Sequence, residues 1–279
     1  MTDPRNPDST RPRIAFIGGG NMASAILGGL IGQGMPAASL EVVEPHEATR
    51  TRLADTFGIT AQAAAGAQLA GCDMVVWAVK PQTFREAAEA VAGFTADALH
   101  LSVAAGITSD SIARWLGTGR VVRAMPNTPA LVGKGMTGLF ARTDVDGADK
   151  ARVDSVLQPT GQLLWLAEEA QLDAVTALSG SGPAYVFFFL EAMVEAGVEM
   201  GLPAAQARQL AIGTFAGAAH LAGSSDDPLA TMRQRVTSKG GTTYAAISAM
   251  EDAGMQPSFR AALHAAERRA RELGAEFGA

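Results

Sequence analysis

The stretch that decides the fold is RIAFIGGGNMA, residues 13–23. Its apolar first half is typical of a buried β-strand, and the glycines after it lead into a helix-like segment, residues 24–31. The spacing is the G-x-G-x-x-A form of the dinucleotide-binding fingerprint. Gly18 allows the tight turn, Gly20 lets a pyrophosphate approach the backbone, and Ala23 permits close packing of helix on sheet. The stretch therefore predicts a strand, a turn and a helix that bind a dinucleotide.

Short apolar runs and helix-like segments continue to alternate up to about residue 167. The predicted strands are residues 13–17, 40–44, 74–79, 99–103, 121–125, 138–141 and, as a weaker candidate, 163–166. Near-continuous apolar strands separated by helices indicate a parallel sheet covered on both faces. From residue 168 on, segments rich in Ala, Leu, Met and Glu predict helices only. The expected fold class is α/β: an N-terminal Rossmann domain with a doubly wound sheet, residues 13–167, followed by an all-helical domain, residues 168–279.

Composition indicates a globular protein of a reducing compartment. The 279 residues, 48% of them hydrophobic, are enough for the cores of two domains. A charged fraction of 18% and a net charge of −6 give no electrostatic reason to expect nucleic acid or an anionic membrane as a partner. A single cysteine, Cys72, excludes an internal disulfide and favours the cytoplasm. Residues 1–12 are polar and proline-containing, which predicts a disordered leader, and the apolar run at residues 186–190 is too short to span a bilayer.

Polar residues follow several of the predicted strands, where a doubly wound sheet binds its ligands. Glu44 ends the second strand. A carboxylate there usually accepts hydrogen bonds from the adenosine ribose hydroxyls and favours NAD, but it can also be a solvated strand end. Arg50 or Arg52 could still neutralise a 2′-phosphate nearby. Lys80 follows the third strand, and Asn127 either contacts nicotinamide or substrate or simply shapes its turn.

A helix predicted at residues 183–200 is apolar over most of its circumference. Its polar positions are essentially Glu191, Glu195 and Glu199, which lie four residues apart on one narrow stripe. A helix of this kind is buried on several sides. One domain could bury it alone, but association of subunits would bury it more fully, so we expect a homo-oligomer.

A second glycine-containing turn lies before a helix-like segment, residues 244–250. The sequence of residues 236–243 is VTSKGGTT. Glycines let backbone N–H groups approach a ligand, and a helix start offers unpaired donors at the positive end of the dipole, so this turn suits a carboxylate. The alternative is an ordinary helix cap, because Ser and Thr are common capping residues.

Four motifs, in order along the chain, resemble those of pyrroline-5-carboxylate reductase, which catalyses the last step of proline biosynthesis. They are residues 78–82 (AVKPQ), 125–129 (MPNTP), 178–185 (LSGSGPAY) and 237–243 (TSKGGTT). The resemblance extends from residue 14 to about residue 254. It implies a Rossmann domain and a helical dimerisation and substrate domain that intertwines with that of a partner subunit. It also implies active sites built across the dimer, and often rings of dimers.

The resemblance implies a role for each matching residue. The cofactor-binding set consists of Gly18, Gly20, Asn21 and Met22 at the pyrophosphate and Ala78, Val79, Lys80, Pro81 and Ala104 toward the nicotinamide, with Glu44 added from its place at the second strand. The substrate carboxylate would be bound by Ser238, Gly240, Gly241 and Thr242. Thr243 would hydrogen-bond the ring nitrogen and is the candidate catalytic residue.

Two positions depart from the family's pattern. Lys239 stands where the family usually has proline, and the alanines at residues 63–65 stand where an asparagine usually contacts the adenosine ribose. The expected cofactor is NADPH, with NADH as the alternative that Glu44 favours.

The implied substrate is a cyclic imine that carries a carboxylate. Its protonated form can take its proton from water before hydride transfer, so the enzyme needs no strong buried acid. Residues 238–243 contain no His, Asp or Glu, in agreement with a site that works by positioning. No metal site is predicted, because the histidines are scattered.

Two other functions compete with this one. A hydroxyacid dehydrogenase of the same two-domain plan would place a catalytic lysine in the helix after its Ser-Gly-x-Gly segment, but residues 183–200 contain neither lysine nor histidine. A regulatory protein that binds the cofactor without catalysis is the alternative from another class.

Overall fold

A computed structural model describes residues 12–278. The predicted disordered leader, apart from Pro12, lies outside the described residues. The chain folds as two compact units: the first contains the residues up to Ser181 and those from Ala266 on, and the second is Gly182–Ala265. The domain boundary predicted near residue 167 divides the chain differently and stays a prediction.

Strands and helices alternate in the first unit. The strands are β1 (Ile14–Ile17), β2 (Leu40–Val43), β3 (Met74–Trp77), β4 (Leu99–Ser102), β5 (Val121–Met125), β6 (Gly135–Ala141) and β7 (Gly161–Trp165). The helices are α1 (Asn21–Gly32), α2 (Glu47–Phe57), α3 (Pro81–Val91), α4 (Ser109–Leu116), α5 (Gly147–Leu157) and α6 (Gln171–Val175). All seven predicted strands, the weak seventh candidate included, are confirmed with small shifts at their ends.

The strands form one sheet in the order β2-β1-β3-β4-β5-β6-β7. β1 to β5 run parallel, but β6 is antiparallel to β5 and β7 is parallel to β6. The prediction of a wholly parallel sheet is therefore wrong at one edge. The β5–β6 connection contains only a short 3-10 turn, Thr128–Val132, whereas a parallel partner requires a crossover of about a dozen residues or more. Because β2 and β3 lie on opposite sides of β1, the sheet has its switch point at β1 and β3.

Both faces of the sheet are buried, as the apolar strands predict. Successive side chains of β1 point to opposite faces. Ile14 and Phe16 belong to one core with Ile26 of α1, whereas Ala15 and Ile17 belong to a second core with Phe84 of α3. A strand buried on both faces cannot alternate with polar residues, which is why its sequence is a continuous apolar run.

The second unit is helical. It contains α7 (Gly182–Glu199), α8 (Ala204–Gly223), α9 (Leu229–Arg235), α10 (Thr242–Asp252) and the beginning of α11 (Met255–Phe277), which ends in the first unit. The backbones of α7 and α8 approach closely, because a Cβ on Gly197 would lie 2.9 Å from the Cβ of Ala207. The ring of Phe259 contacts those of Tyr185 and Phe189.

The apolar surface of α7 is not covered within one chain. Phe187 and Phe188 are 57% and 67% exposed, and Gly197 is the buried residue of the helix. The expectation that α7 is buried on several sides is therefore wrong for the single chain. Among the described residues, the helical stretch Gln171–Glu199 is long and apolar enough to cross a membrane by length and composition alone. The prediction that this region is too short to span a bilayer is therefore wrong by this measure. It considered only residues 186–190 and not the apolar residues on either side.

Candidate active site

The glycine turn between β1 and α1 has the shape that a dinucleotide requires. Gly18 has φ +96°, and a Cβ there would lie 2.6 Å from the carbonyl oxygen of Ala78, so only glycine fits. A Cβ on Gly20 would meet nothing within 4 Å. Gly20 is also the N-cap of α1, without a side-chain hydrogen bond, so the first-turn amides of Asn21 and Met22 are not capped by a side chain. Open space over uncapped amides fits a pyrophosphate.

The residues after β3 form the adjoining rim of the same edge. Ala78 is tied to the end of β1, because its N–H donates to the carbonyl oxygen of Ile17 at 2.8 Å. Ala78 and Val79 are half-buried, and the side chain of Lys80 is exposed. Pro81 is the first residue of α3, where proline is favoured because no N–H partner is needed.

The loop after β4 adds Ala104 to this edge. Ala104 is buried, and its N–H donates to the hydroxyl of Ser102 at 3.3 Å. The hydrogen bond of the Val103 N–H to the carbonyl oxygen of Trp77 holds the loop against the end of β3. The carboxyl ends of β1, β3 and β4 thus meet at one edge.

Glu44 points into the protein at the end of β2. It is 6% exposed, and its Oε2 accepts from the Gly19 N–H at 2.8 Å while its Oε1 accepts from the His46 N–H at 2.9 Å. The carboxylate therefore joins the glycine turn to the start of α2. Within the described residues it is not the solvated strand end that the sequence also allowed.

Both the donor and the acceptor of the Asn127 side-chain amide form hydrogen bonds within the first unit. Its Nδ2 donates to the carbonyl oxygen of Ser179 at 3.0 Å, and its Oδ1 accepts from the Met136 N–H at 3.0 Å. Ser179 lies in a π-helical turn, Thr176–Gly180, which the sequence did not reveal. Of its two interpretations, these contacts support the one in which Asn127 shapes the backbone.

The second glycine turn lies at the start of α10 in the second unit. Helix α10 begins at Thr242, so the predicted start at residue 244 is wrong, and Thr242 and Thr243 lie in its first turn. Its N-cap is Gly241, with no side-chain hydrogen bond, so no Ser or Thr hydroxyl caps it as the alternative interpretation required. Gly240 has φ +79°, and the Gly241 N–H donates to the carbonyl oxygen of Ser238 at 3.0 Å. Thr242 and Thr243 are exposed residues, and the N–H groups of a first helical turn have no partner within the helix.

The predicted site residues thus form two groups, one in each unit. The first unit brings together Gly18, Gly20, Asn21, Met22, Glu44, Ala78, Val79, Lys80, Pro81 and Ala104 at the carboxyl edge of its sheet. The second unit has Ser238, Gly240, Gly241, Thr242 and Thr243 in one turn, with Lys239 exposed beside them. Over residues 12–278, no group of three or more His, Cys, Asp or Glu side chains could hold a metal ion.

Two family models match the chain. Residues 169–273 match pyrroline-5-carboxylate reductase dimerisation, and residues 13–106 match NADP oxidoreductase coenzyme F420-dependent. Pyrroline-5-carboxylate reductase of Pseudomonas aeruginosa is 44% identical over 96% of this chain and 98% of its own length.

Solved structures of similar proteins cover almost the same span. A pyrroline-5-carboxylate reductase from Coxiella burnetii has a TM-score of 0.87 at 38% identity and covers 94% of this chain and 98% of its own. Plasmodium falciparum pyrroline carboxylate reductase, solved with NADP bound, has a TM-score of 0.85 at 26% identity and covers 95% of this chain and 98% of its own.

Proposed function

Because this chain belongs to the pyrroline-5-carboxylate reductase family, we propose that it reduces the cyclic imine of 1-pyrroline-5-carboxylate to L-proline. The chain is an oxidoreductase that acts on a C=N bond with NAD(P)H. The observation that carries this function is the match over 96% of the chain to a reductase of that name, 44% identical.

Cofactor binding is assigned to the carboxyl edge of the sheet. The uncapped amides of Asn21 and Met22 would receive the pyrophosphate over Gly20, since a helix start attracts an anion. Ala78, Val79, Lys80, Pro81 and Ala104 would border the nicotinamide end. When bound, the cofactor supplies the hydride. What the chain contributes is a surface on one side of the cofactor, which main-chain hydrogen bonds at the ends of β1 and β3 hold in place.

Substrate binding is assigned to the turn before α10. Ser238, Gly240, Gly241 and Thr242 would hold the carboxylate with backbone N–H groups and hydroxyls. The uncapped start of α10 supports this assignment, because no side chain of the turn occupies its first-turn N–H groups. The Gly241 N–H itself donates to the carbonyl oxygen of Ser238, which fixes the shape of the turn together with the left-handed Gly240. The ammonium group of Lys239, exposed in the same turn, would attract the carboxylate from solution.

Thr243 is assigned to the ring nitrogen. A threonine hydroxyl is too weak an acid to protonate the imine, so the substrate would take its proton from water and Thr243 would orient the nitrogen. The rate would come from holding the reacting atoms in place. The absence of lysine and histidine from α7 supports this assignment over a hydroxyacid dehydrogenase.

The oligomer we propose is a homodimer with intertwined helical domains, and rings of such dimers are the larger assembly. The match of residues 169–273 to the dimerisation family and the exposed apolar residues of α7 support the dimer. We further propose that the protein works in the cytoplasm, without a membrane or nucleic-acid partner, since its single cysteine favours a reducing compartment and its net charge is −6.

The test is an assay of the purified full-length chain with 1-pyrroline-5-carboxylate, following the absorbance of NADPH and of NADH and identifying L-proline as product. We expect oxidation of the reduced cofactor only when the cyclic imine is present. Tight binding of the cofactor with no turnover would favour the regulatory protein instead. Turnover of a 2-hydroxyacid with the oxidised cofactor, in place of the imine, would favour the dehydrogenase.

A further inference from the structure

The loop between β4 and α4, residues 103–108, borders the nicotinamide end of the proposed cofactor site through Ala104. We call it the β4–α4 loop. Its first half is tied to the sheet, because the Val103 N–H donates to the carbonyl oxygen of Trp77 at 3.0 Å. Its second half leads into α4, whose first residue, Ser109, is buried. The position of Ala104 therefore depends in part on what holds the start of α4.

A carboxylate from a distant part of the chain holds the start of α4. Glu169 lies in the turn between β7 and α6, 60 residues from Ser109 along the sequence. Its Oε1 accepts from the Ser109 N–H at 2.6 Å, and its Oε2 accepts from the Ser109 hydroxyl. A carboxylate at this end of a helix is stabilised by the unpaired amides and by the positive end of the dipole. The two bonds fix both the main chain and the side chain of the first residue of α4.

The carboxylate of Glu169 is itself fixed in direction by Arg123 of β5. The Nη1 of Arg123 donates to Oε1 of Glu169 at 2.7 Å, and the two side chains are 12% and 25% exposed. The buried Nε of Arg123 has no hydrogen-bond partner among the described residues, so the ion pair compensates a guanidinium that is largely desolvated. The Nη1 of Arg142, which follows β6, donates to the Ser109 hydroxyl at 3.3 Å. Contacts from three strands thus support the start of α4.

The end of α11 contacts the same loop at Gly106. Gly106 has φ +73°, and a Cβ there would lie 3.3 Å from the Cβ of Leu273 and 3.4 Å from its carbonyl oxygen. Glycine is favoured both by the left-handed conformation and by the close approach of the helix. The carbonyl oxygen of Gly278 accepts from the hydroxyl of Ser111 and from Nη2 of Arg114. The end of α11 is therefore joined to α4 as well as to the loop.

We propose that Glu169 is a positioning residue for hydride transfer, because through Ser109 it holds the β4–α4 loop, and with it Ala104, against the nicotinamide. The proposal rests on the proposed function, since Ala104 borders the nicotinamide only if the cofactor binds at this edge of the sheet. The partners of its carboxylate, Ser109 and Arg123, do not belong to the predicted cofactor-binding set.

A loosened loop should slow the reaction more than it weakens cofactor binding. Hydride transfer needs the reacting atoms at about 3–3.5 Å, and a displacement of about 1 Å can cost about a hundredfold in rate. The pyrophosphate, by contrast, is assigned to the glycine turn between β1 and α1, which Glu169 does not support. The rate and the affinity should therefore respond differently to the loss of this carboxylate.

Hydrogen exchange of the full-length protein without cofactor tests the support itself. The carboxamide of Glu169→Gln keeps one acceptor but loses the charge that pairs with Arg123. We therefore expect the amides of residues 103–109 to exchange about tenfold faster than in the wild type, with those of residues 18–20 unchanged. The matched control is Glu168→Gln, the same substitution at the exposed neighbouring residue, which should change neither segment. Unchanged exchange of residues 103–109 in Glu169→Gln would overturn the proposal.

Single-turnover kinetics with NADPH and 1-pyrroline-5-carboxylate separate positioning from a structural role. Below the unfolding temperature of Glu169→Gln, we expect the rate constant to fall about tenfold or more, with the Kd of NADPH within about twofold of the wild type. NADPH deuterated at the transferred position should slow the measured step, which identifies it as hydride transfer. Ser109→Ala is the milder variant, because it loses the hydroxyl and keeps the main-chain N–H. The double variant should be no slower than Glu169→Gln alone, since both changes break the same contact.

Three results would count against the proposal in different ways. Lower thermal stability of Glu169→Gln with the wild-type rate would make Glu169 a structural residue only, and if that variant does not fold, a wild-type rate for Ser109→Ala would have the same meaning. Equal losses of rate and of NADPH affinity would show that the whole site is disturbed. A wild type that does not oxidise NADPH with the cyclic imine would refute the proposed function, while hydrogen exchange would still measure the support of the loop, so the two failures are distinguishable.

Discussion

At the scale of single residues, Gly18 and Gly20 occupy one turn but are required for different reasons. Gly18→Ala would place a methyl group 2.6 Å from the Ala78 carbonyl oxygen in a left-handed conformation, so we expect a loss of about 1–3 kcal/mol in the free energy of unfolding. Gly20→Ala meets nothing within 4 Å. It should keep the stability of the wild type but bind NADPH more weakly, because the methyl group enters the space of the pyrophosphate.

Chemical unfolding and cofactor titration of both variants check this pair. Each variant is the control of the other, since the substitution is the same and the positions are two residues apart. Equal losses of stability would mean that both glycines serve the backbone. Unchanged binding by Gly20→Ala would remove the turn from the cofactor site.

Thr243 is the residue on which the proposed mechanism depends most. Thr243→Ala should lower turnover about fivefold to tenfold, because one hydrogen bond contributes on the order of 1 kcal/mol. Its unfolding midpoint should not change, since the side chain is exposed. Steady-state kinetics at saturating imine, with the exposed Thr143→Ala as control, measure the effect. Turnover equal to that of the wild type would exclude Thr243 from the mechanism.

His100, buried in β4, gives the stability of the protein a pH dependence. Its Nδ1 accepts from Nε1 of Trp77 at 3.1 Å and its Nε2 lies 3.2 Å from the Thr95 carbonyl oxygen, so Nε2 carries the proton. Burial lowers the pKa of His100 from 6.5 to about 4. Between these values the unfolded chain takes up a proton that the folded chain does not, so stability is complete above pH 6.5 and falls toward pH 4, by on the order of 3 kcal/mol.

Unfolding free energies measured between pH 4 and 7 test this linkage. Replacing His100 with asparagine should lower stability at pH 7 and flatten the slope over that interval. The matched control is the exposed His46→Asn, which should keep the slope of the wild type. A slope unchanged in the His100 variant would assign the acid sensitivity to other groups.

At the scale of elements, the sequence predicted what depends on local pattern. The glycine turn and all seven strands could be located, because a strand buried on both faces is a continuous apolar run and Gly18 requires a left-handed turn. The reversal of β6 could not, since the direction of a strand depends on the length of its connection and not on its own residues. The π-helical turn was also missed, because the hydrogen bond that holds Ser179 comes from Asn127, distant in sequence.

The same limit applies to the predicted site. Thr242 lies in the first turn of α10 because Gly241 is the N-cap. This N-cap was not predicted, because the Ser and Thr residues nearby are more common caps than glycine. The hydrogen-bond partners of Glu44 could not be predicted either. A glutamate at the end of a strand gives the same sequence pattern whether its carboxylate faces a ribose or the backbone. The sequence thus allowed the residues of the site to be proposed, but it did not predict the direction in which their side chains point.

Asn127 connects three elements: the β5–β6 connection, the start of β6 and the π-helical turn. Asn127→Ala would leave the Met136 N–H and the Ser179 carbonyl oxygen without this partner, so we expect a loss of about 1–3 kcal/mol in stability. Asn127→Asp keeps the acceptor but places a negatively charged oxygen against the Ser179 carbonyl oxygen, so it should lose at least as much. Cofactor Kd, measured beside thermal unfolding, should change little. A large rise in Kd at full stability would support direct contact with nicotinamide instead.

At the scale of the whole molecule, the exposed apolar surface of α7 has to be covered by something. By length and composition Gln171–Glu199 could enter a bilayer. Glu191, Glu195 and Glu199 argue against lipid, since carboxylates on the helix would be desolvated there. The match of residues 169–273 to the dimerisation family explains the same surface by a second copy of the chain. The same apolar helix surface therefore explains both the membrane-like composition of this stretch and its match to the dimerisation family.

Phe188→Glu tests which partner covers α7. The side chain is 67% exposed in the single chain, so a carboxylate there should not disturb the fold of a monomer, but it would be desolvated in an apolar interface between subunits. We expect sedimentation velocity to show the wild type as a dimer or larger and the variant shifted to monomer, with the circular dichroism retained. Val132→Glu, 75% exposed in the first unit, is the matched control and should assemble normally.

A wild type that remains monomeric in buffer, or that requires detergent to stay in solution, would contradict the dimer. Loss of imine reduction together with the dimer would further indicate that each active site needs both subunits.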